Sequence, residues 1–155
     1  MSTRSQWHEI ELPVQPAALF NLLLAPKAIR GRWNNTAAVV TEVDGAWVIA
    51  WGARENDPDY VSGARIKSFQ APKLVKLAFD YSRGRAGMLP FASGMTAELA
   101  ITQKGQGSLL RITHAGLPND NDDYFNAVAD GWRAALQGLG TMLMPAQPQQ
   151  PPLRR

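Results

Sequence analysis

The spacing of apolar and polar side chains changes period along the chain, and each change marks an element. From Gln6 to Leu12 the period is two, with Trp7, Glu9 and Glu11 set against His8, Ile10 and Leu12, which predicts a strand. Pro13 and Pro16 interrupt it. Pro16 suits the first turn of a helix, where its missing N–H has no partner to lose. Leu19, Phe20, Leu23 and Leu24 share one face of a short helix over Ala17–Leu24, and Pro26 opens a second helical turn that runs to Trp33. From Asn34 the period returns to two, with strands expected over Thr36–Val43, Ala46–Trp51, Tyr60–Phe69, Leu74–Tyr81, Gly94–Gln103 and Ser108–Gly116. Asp44-Gly45 is a hairpin dipeptide between the first two of these. Ala71-Pro72-Lys73 turns the chain once more. Arg54–Asp59 and the glycine- and arginine-containing stretch Ser82–Ser93 read as loops.

The last element is the plainest. Phe125, Val128, Trp132, Leu136, Leu139 and Leu143 recur at helical spacing, and Asp122 and Asp123 suit the positive end of the helix dipole. Asn119 or Asp120 is placed to cap it, and Pro145 ends it. Beyond that, the Pro/Gln-rich residues 145–155 have nothing to add to a core and read as a flexible tail, leaving residues 1–144 as one domain. Strands segregated from helices argue for an α+β fold with an antiparallel sheet of about six or seven strands. Two short helices follow the first strand, and a wide sheet curls about the one long helix. Such a helix rarely fills a strongly curved sheet, so either a cavity lies between them or side chains fill the core. A ligand-binding function would call for a cavity of several hundred cubic ångströms, roughly the range of small-molecule sites.

Composition narrows the functions open to that fold. The chain has 155 residues, within single-domain range, and its 45% hydrophobic and 19% charged residues are those of a globular protein. With no cysteine there is no disulfide, no thiolate metal site and no cysteine nucleophile. A net charge of +3, spread along the chain, lacks the concentrated basic footprint of a nucleic-acid binder. The start, Met1 to Leu12, has no apolar signal-peptide region, and no apolar run nears the roughly 18 residues of a membrane span. A cytoplasmic protein without a cofactor is the expectation.

Few residues offer chemistry. His114 lies on the inward side of the last strand if Leu110 and Ile112 do. It is then either an acid, base or hydrogen-bond donor in a cleft, or a core histidine bonded to a neighbour. His8 is the only other histidine, so a histidine metal site is not expected, and no G-x-S-x-G accompanies it. Trp33, Trp47, Trp51 and Trp132 either line an apolar cavity, together with Phe79 and Phe125, or make up the core. Arg65 is a ligand anchor for an anion if it points inward, whereas Arg111 faces solvent opposite Leu110 and Ile112. Asp120–Asp123 lacks the glycine turn and closing glutamate of a calcium loop, and helix capping accounts for it better.

Three stretches resemble the START-like helix-grip superfamily (SRPBCC), in particular the branch related to the C-terminal domain of the Hsp90 ATPase activator Aha. They are Pro16–Trp33, Tyr60-Val-Ser-Gly63 through Ala71-Pro72-Lys-Leu-Val75, and Leu110-Arg-Ile-Thr-His-Ala-Gly-Leu-Pro118 with Gly131-Trp132. The chain departs from the branch at Asn34, where a second tryptophan often follows the first, and at Arg65, where an aliphatic residue is usual. The resemblance implies a helix-grip fold, and taken with the residue pattern it leaves three functions open. The first is a binding protein for a small hydrophobic molecule, lipid-like or aromatic, held by Trp33, Trp47, Trp51, Arg65, Phe79, His114, Phe125 and Trp132. The second is a protein-interaction module with an exposed apolar patch. The third is a cyclase- or hydrolase-like enzyme with His114 as its acid or base.

Overall fold

The computed structural model describes residues 3–24, 36–40, 42–51, 60–84, 87–88 and 94–143. The expected helical turn from Pro26 to Trp33, the loop Arg54–Asp59 and the tail 145–155 lie outside these residues. One antiparallel sheet dominates, formed by β1 (Thr3–Leu12), β2 (Thr36–Val39), β3 (Ala46–Trp51), β4 (Tyr60–Gln70), β5 (Leu74–Gly84), β6 (Gly87–Met88), β7 (Thr96–Lys104) and β8 (Gly107–Pro118). Its order is β1-β8-β7-β5-β4-β3-β2, with the two-residue β6 paired to the end of β5. Two helices cover one face: α1 (Pro16–Leu23), with its proline in the first turn, and α2 (Asp122–Leu143). This is the curved sheet around a closing helix that the residue pattern called for.

Alternation fixes which side chains face the helices. Directly opposed residues of an antiparallel pair lie on the same face, so the register builds rows across the sheet. One runs Ile66, Leu77, Ala97, His114 and Gln6 over five strands. Another runs Trp47, Ala64 and Phe79. In each, an alanine beside a ring leaves room for that ring to lie down on the sheet. The opposite face carries ion pairs: Arg65–Asp80 at 2.9 Å, Lys67–Asp44 at 3.1 Å, Lys104–Glu11 at 3.0 Å and Arg111–Glu9 at 3.6 Å. Arg111 also lies over the exposed Trp7 ring, 4.2 Å from its centroid.

Several expected details differ. The strand over Thr36–Val43 stops at Val39, because Glu42, Val43 and Asp44 turn the chain and Asp44 takes φ 66. Gly45 is required next, since a Cβ there would overlap the Val40 carbonyl oxygen. The stretch Ser82–Ser93 is not loop throughout, because β5 continues to Gly84 and β6 pairs back onto it through Arg83 and Met88. The α2 cap is neither Asn119 nor Asp120 but Asn121, whose Oδ1 accepts from the Tyr124 N–H at 3.0 Å. Near the end of β8, Gly116 at φ 82 bends the strand toward Leu117 where a Cβ would overlap the Gly94 carbonyl. That bend, with the bulge between Arg4 and Gln6 in β1, sets the edge of the sheet beneath the start of α2.

Candidate functional site

The inner face has two ends. At one, α1 and the C-terminal half of α2 pack Leu19, Leu23, Leu136 and Leu139 against Leu12, Leu99, Leu110 and Ile112, all buried. At the other, the N-terminal half of α2 lies over His114 and its neighbours. β8 delivers His114 to this end, where its ring stacks on Phe79 with centroids 5.1 Å apart and planes 19° apart. Trp132 meets it edge-on at 6.2 Å and donates its indole N–H to His114 Nδ1 at 3.1 Å. An indole nitrogen can only donate, so Nδ1 is the acceptor and Nε2 carries the proton. That Nε2–H lies 3.4 Å from Met95 Sδ. Burial, with a smaller contribution from the charge on His8, lowers the His114 pKa to about 4, and the ring is neutral near pH 7.

A polar link joins this end to β1. Gln6 Nε2 donates to the Phe125 carbonyl at 3.1 Å, and its Oε1 lies 2.7 Å from His8 Nε2. Burial first and the Arg133 charge second hold the His8 pKa below its usual value. Outside, Arg4 pairs with Asp122 at 2.5 Å and lies over the Phe125 ring. The first turn of α2 is thus tied to β1 by one part-buried hydrogen bond and one largely exposed ion pair.

Between the layers lies a cavity of about 40 Å³, with Ser62, Phe79 and His114 as its floor and Tyr124, Ala127, Val128 and Trp132 as its roof. This corrects the expected volume. The space accepts a water or two rather than a typical ligand, because Tyr124 and Trp132 both turn into the concavity and occupy it.

Of the residues singled out from sequence, the structure brings together Phe79, His114 and Trp132 at the cavity. Trp47 is buried on the same inner face but is not among the cavity's described lining residues. Phe125 turns toward Arg4 instead. Arg65 is corrected outright: it stands on the outer face with Asp80, as the alternation of buried Ser62, Ala64 and Ile66 requires. Trp33 and the side chain of Trp51 lie outside the described residues. Sequence reasoning missed Ser62, Tyr124 and Ala127. Tyr124 had a signal, four residues before Val128 and eight before Trp132. The acid/base reading needed a second ionisable group against His114, but its two nitrogens go to Trp132 and Met95. No carboxylate among the described residues bonds to it. Among the described residues no helix is long and apolar enough to cross a membrane.

This architecture, a curved antiparallel sheet gripping one long helix, matches a known family over most of its length. The chain belongs to the family described as Activator of Hsp90 ATPase homolog 1-like protein, whose profile matches residues 13–144. Comparison with functionally curated proteins gives no match. Among solved structures it is similar to the Aha1 dimer from Colwellia psychrerythraea, at 15% identity and TM-score 0.71, covering 92% of this chain and 96% of that one. It is also similar to an HSP90 activator from Plasmodium falciparum, at 16% identity and TM-score 0.67, covering 90% and 96%. CalU16 from Micromonospora echinospora aligns at 18% identity and TM-score 0.65, covering 92% and 78%. At these identities the likeness defines the fold.

Proposed function

We propose that this protein is a non-catalytic binding protein that takes a small hydrophobic molecule between the sheet and the N-terminal half of α2, in a cytoplasmic setting. One observation carries the reading: an apolar cavity whose walls come from both layers, with a neutral imidazole and a serine hydroxyl in its floor. A pocket of mostly apolar lining with a few placed polar groups is the usual form of a small-molecule site. At about 40 Å³ it must enlarge to take a ring. Tyr124 is the side chain to move, since it sits in the first turn of α2, where the exposed Arg4–Asp122 pair contributes little and the Gln6–Phe125 hydrogen bond is the main tie to β1. Native mass spectrometry of freshly purified protein tests the reading. A co-purified small molecule is expected, lost in Ala127→Leu with the circular dichroism unchanged. No bound molecule, and no saturable binding of a neutral naphthalene probe, would remove it.

A second reading, a chaperone-linked interaction module, is supported by family membership and by the likeness to an HSP90 activator from Plasmodium falciparum. The outer face of the sheet offers it charge rather than an apolar patch, and the exposed large apolar side chains among the described residues are Trp7, Val40 and Val43. Stimulation of Hsp90 ATPase turnover by the full chain is the measurement that favours it over the first reading.

A further inference from the structure

The inner face displays hydrogen-bond donors without good acceptors. The Trp132 indole fixes the His114 tautomer, so Nε2–H is a donor on a residue of the cavity floor, and its partner at 3.4 Å is a thioether sulfur, a weak acceptor. A second donor, Trp47 Nε1–H, is buried with no partner among the described residues. It belongs to the row Trp47, Ala64, Phe79, and Phe79 is the ring on which His114 stacks. A buried donor left without an acceptor is destabilising, and native proteins keep few of them without a reason. Of the two, His114 lines the cavity and Trp47 lies on the same inner face outside its described lining. The weakly bonded His114 donor is therefore the one complementary to an acceptor there.

The charge of that acceptor is constrained as well. A carboxylate taken into an apolar site needs a cation or several strong donors beside it. No arginine or lysine is among the described residues lining the cavity, and Arg65 faces the other side of the sheet. A neutral His114 supplies a hydrogen bond but no charge. Building on the binding function proposed above, we infer that the ligand is an apolar, ring-sized molecule with a neutral carbonyl oxygen, accepted by His114 Nε2–H in place of the Met95 sulfur. Trp132 is then a positioning residue that acts through the imidazole as well as a wall of the site.

The experiment compares three probes of like shape on the full chain: acetophenone, ethylbenzene and benzoate. Affinity is read by tryptophan fluorescence, and the imidazole by its nitrogen–proton correlation spectrum. His114 is expected to be protonated at Nε2 in the free protein. Acetophenone is expected to bind about three- to tenfold more tightly than ethylbenzene, as one well-placed buried hydrogen bond allows, and to shift the Nε2 resonance. Benzoate is expected to bind more weakly than acetophenone. Equal, saturable binding of acetophenone and ethylbenzene without an imidazole shift overturns the carbonyl inference and leaves the binding function standing. Benzoate binding as tightly as acetophenone overturns the neutral class. No saturable binding by any probe removes the binding function and the inference together. In Trp132→Phe, which frees Nδ1, the preference for acetophenone over ethylbenzene is expected to shrink several-fold. An unchanged preference in a folded variant would show that His114 is not the donor.

Discussion

The two ends of the inner face use the same sheet and the same helix differently. At the α1 end, aliphatic side chains from two helices and three strands interlock, and Leu19, Leu23, Leu99, Leu110, Ile112 and Leu139 are essentially inaccessible. At the His114 end, rings and a hydroxyl meet around a void, with the Met95 thioether behind the imidazole and only α2 above them among the described residues. Aliphatic side chains adjust to one another through many rotamers and fill space densely. Flat rings held by directional hydrogen bonds cannot close every gap. One end therefore stores stability, and the other trades some of it for an adaptable surface. The comparison predicts that equal chemical changes have unequal consequences at the two ends.

The largest effect belongs to the filled end. Leu139→Ala should destabilise the protein by about 2–5 kcal/mol, measured as a shift in the urea unfolding midpoint, because the packed surroundings relax only partly around the cavity it leaves. The next belongs to the histidine end and depends on pH. The folded state lowers His114 to about 4 from 6.5, so between those values the unfolded chain binds a proton that the folded chain does not. Stability is then fully present above pH 6.5 and falls as pH drops toward 4, by on the order of 3 kcal/mol. His8, also lowered, adds a change of the same sign. Unfolding free energies of the wild type and His114→Phe, taken from pH 7.5 to 4.5, should converge as the pH falls. Parallel curves would show that His114 titrates normally in the folded state.

How far these ends were legible in sequence follows from what each rests on. The strands and α2 were readable because alternation and helical spacing report only which face is buried, and Val75, Leu77 and Phe79 against Lys76 and Asp80 leave little choice. Arg65 was readable by the same rule, since Ala64 and Ile66 flank it. The glycine and serine before them obscured the phase, and the register does shift between Gly63 and Ala64. Tyr124 is less legible than Phe125 because a hydroxyl counts as polar in such patterns, although the ring is what fills the concavity. The continuation of β5 to Gly84 depends on pairing with β6, and the size of the cavity on how two rings nest. Both are tertiary facts that no local spacing encodes.

Overpacking separates the two ends with less disturbance than truncation. Ala135, inaccessible on α2, should lose about 1–3 kcal/mol on change to Leu, since a filled core must strain to admit new atoms. Ala127, two turns earlier and at the cavity roof, should accept Leu within roughly 0.5 kcal/mol, because part of the added volume enters existing space and leucine sustains a helix nearly as well as alanine. Paired unfolding curves of the two variants measure the difference directly. Equal losses would mean that the cavity is already as tightly held as the core.

The smallest effect should come from the outer face, where Arg65 stands away from the cavity. Its guanidinium lies 2.9 Å from Asp80, with both side chains about half exposed at 55% and 50%. Water screens such a pair, and holding two long side chains in one geometry offsets part of the attraction. Arg65→Ala should therefore change the unfolding free energy by about 0.5 kcal/mol or less, and that small change should fade at high salt. It should also leave the affinity for acetophenone as it is, since the sheet stands between Arg65 and the cavity. A loss of affinity in this variant would mean that ligands approach from the outer face, and the distinction between the two ends of the inner face would no longer locate the site.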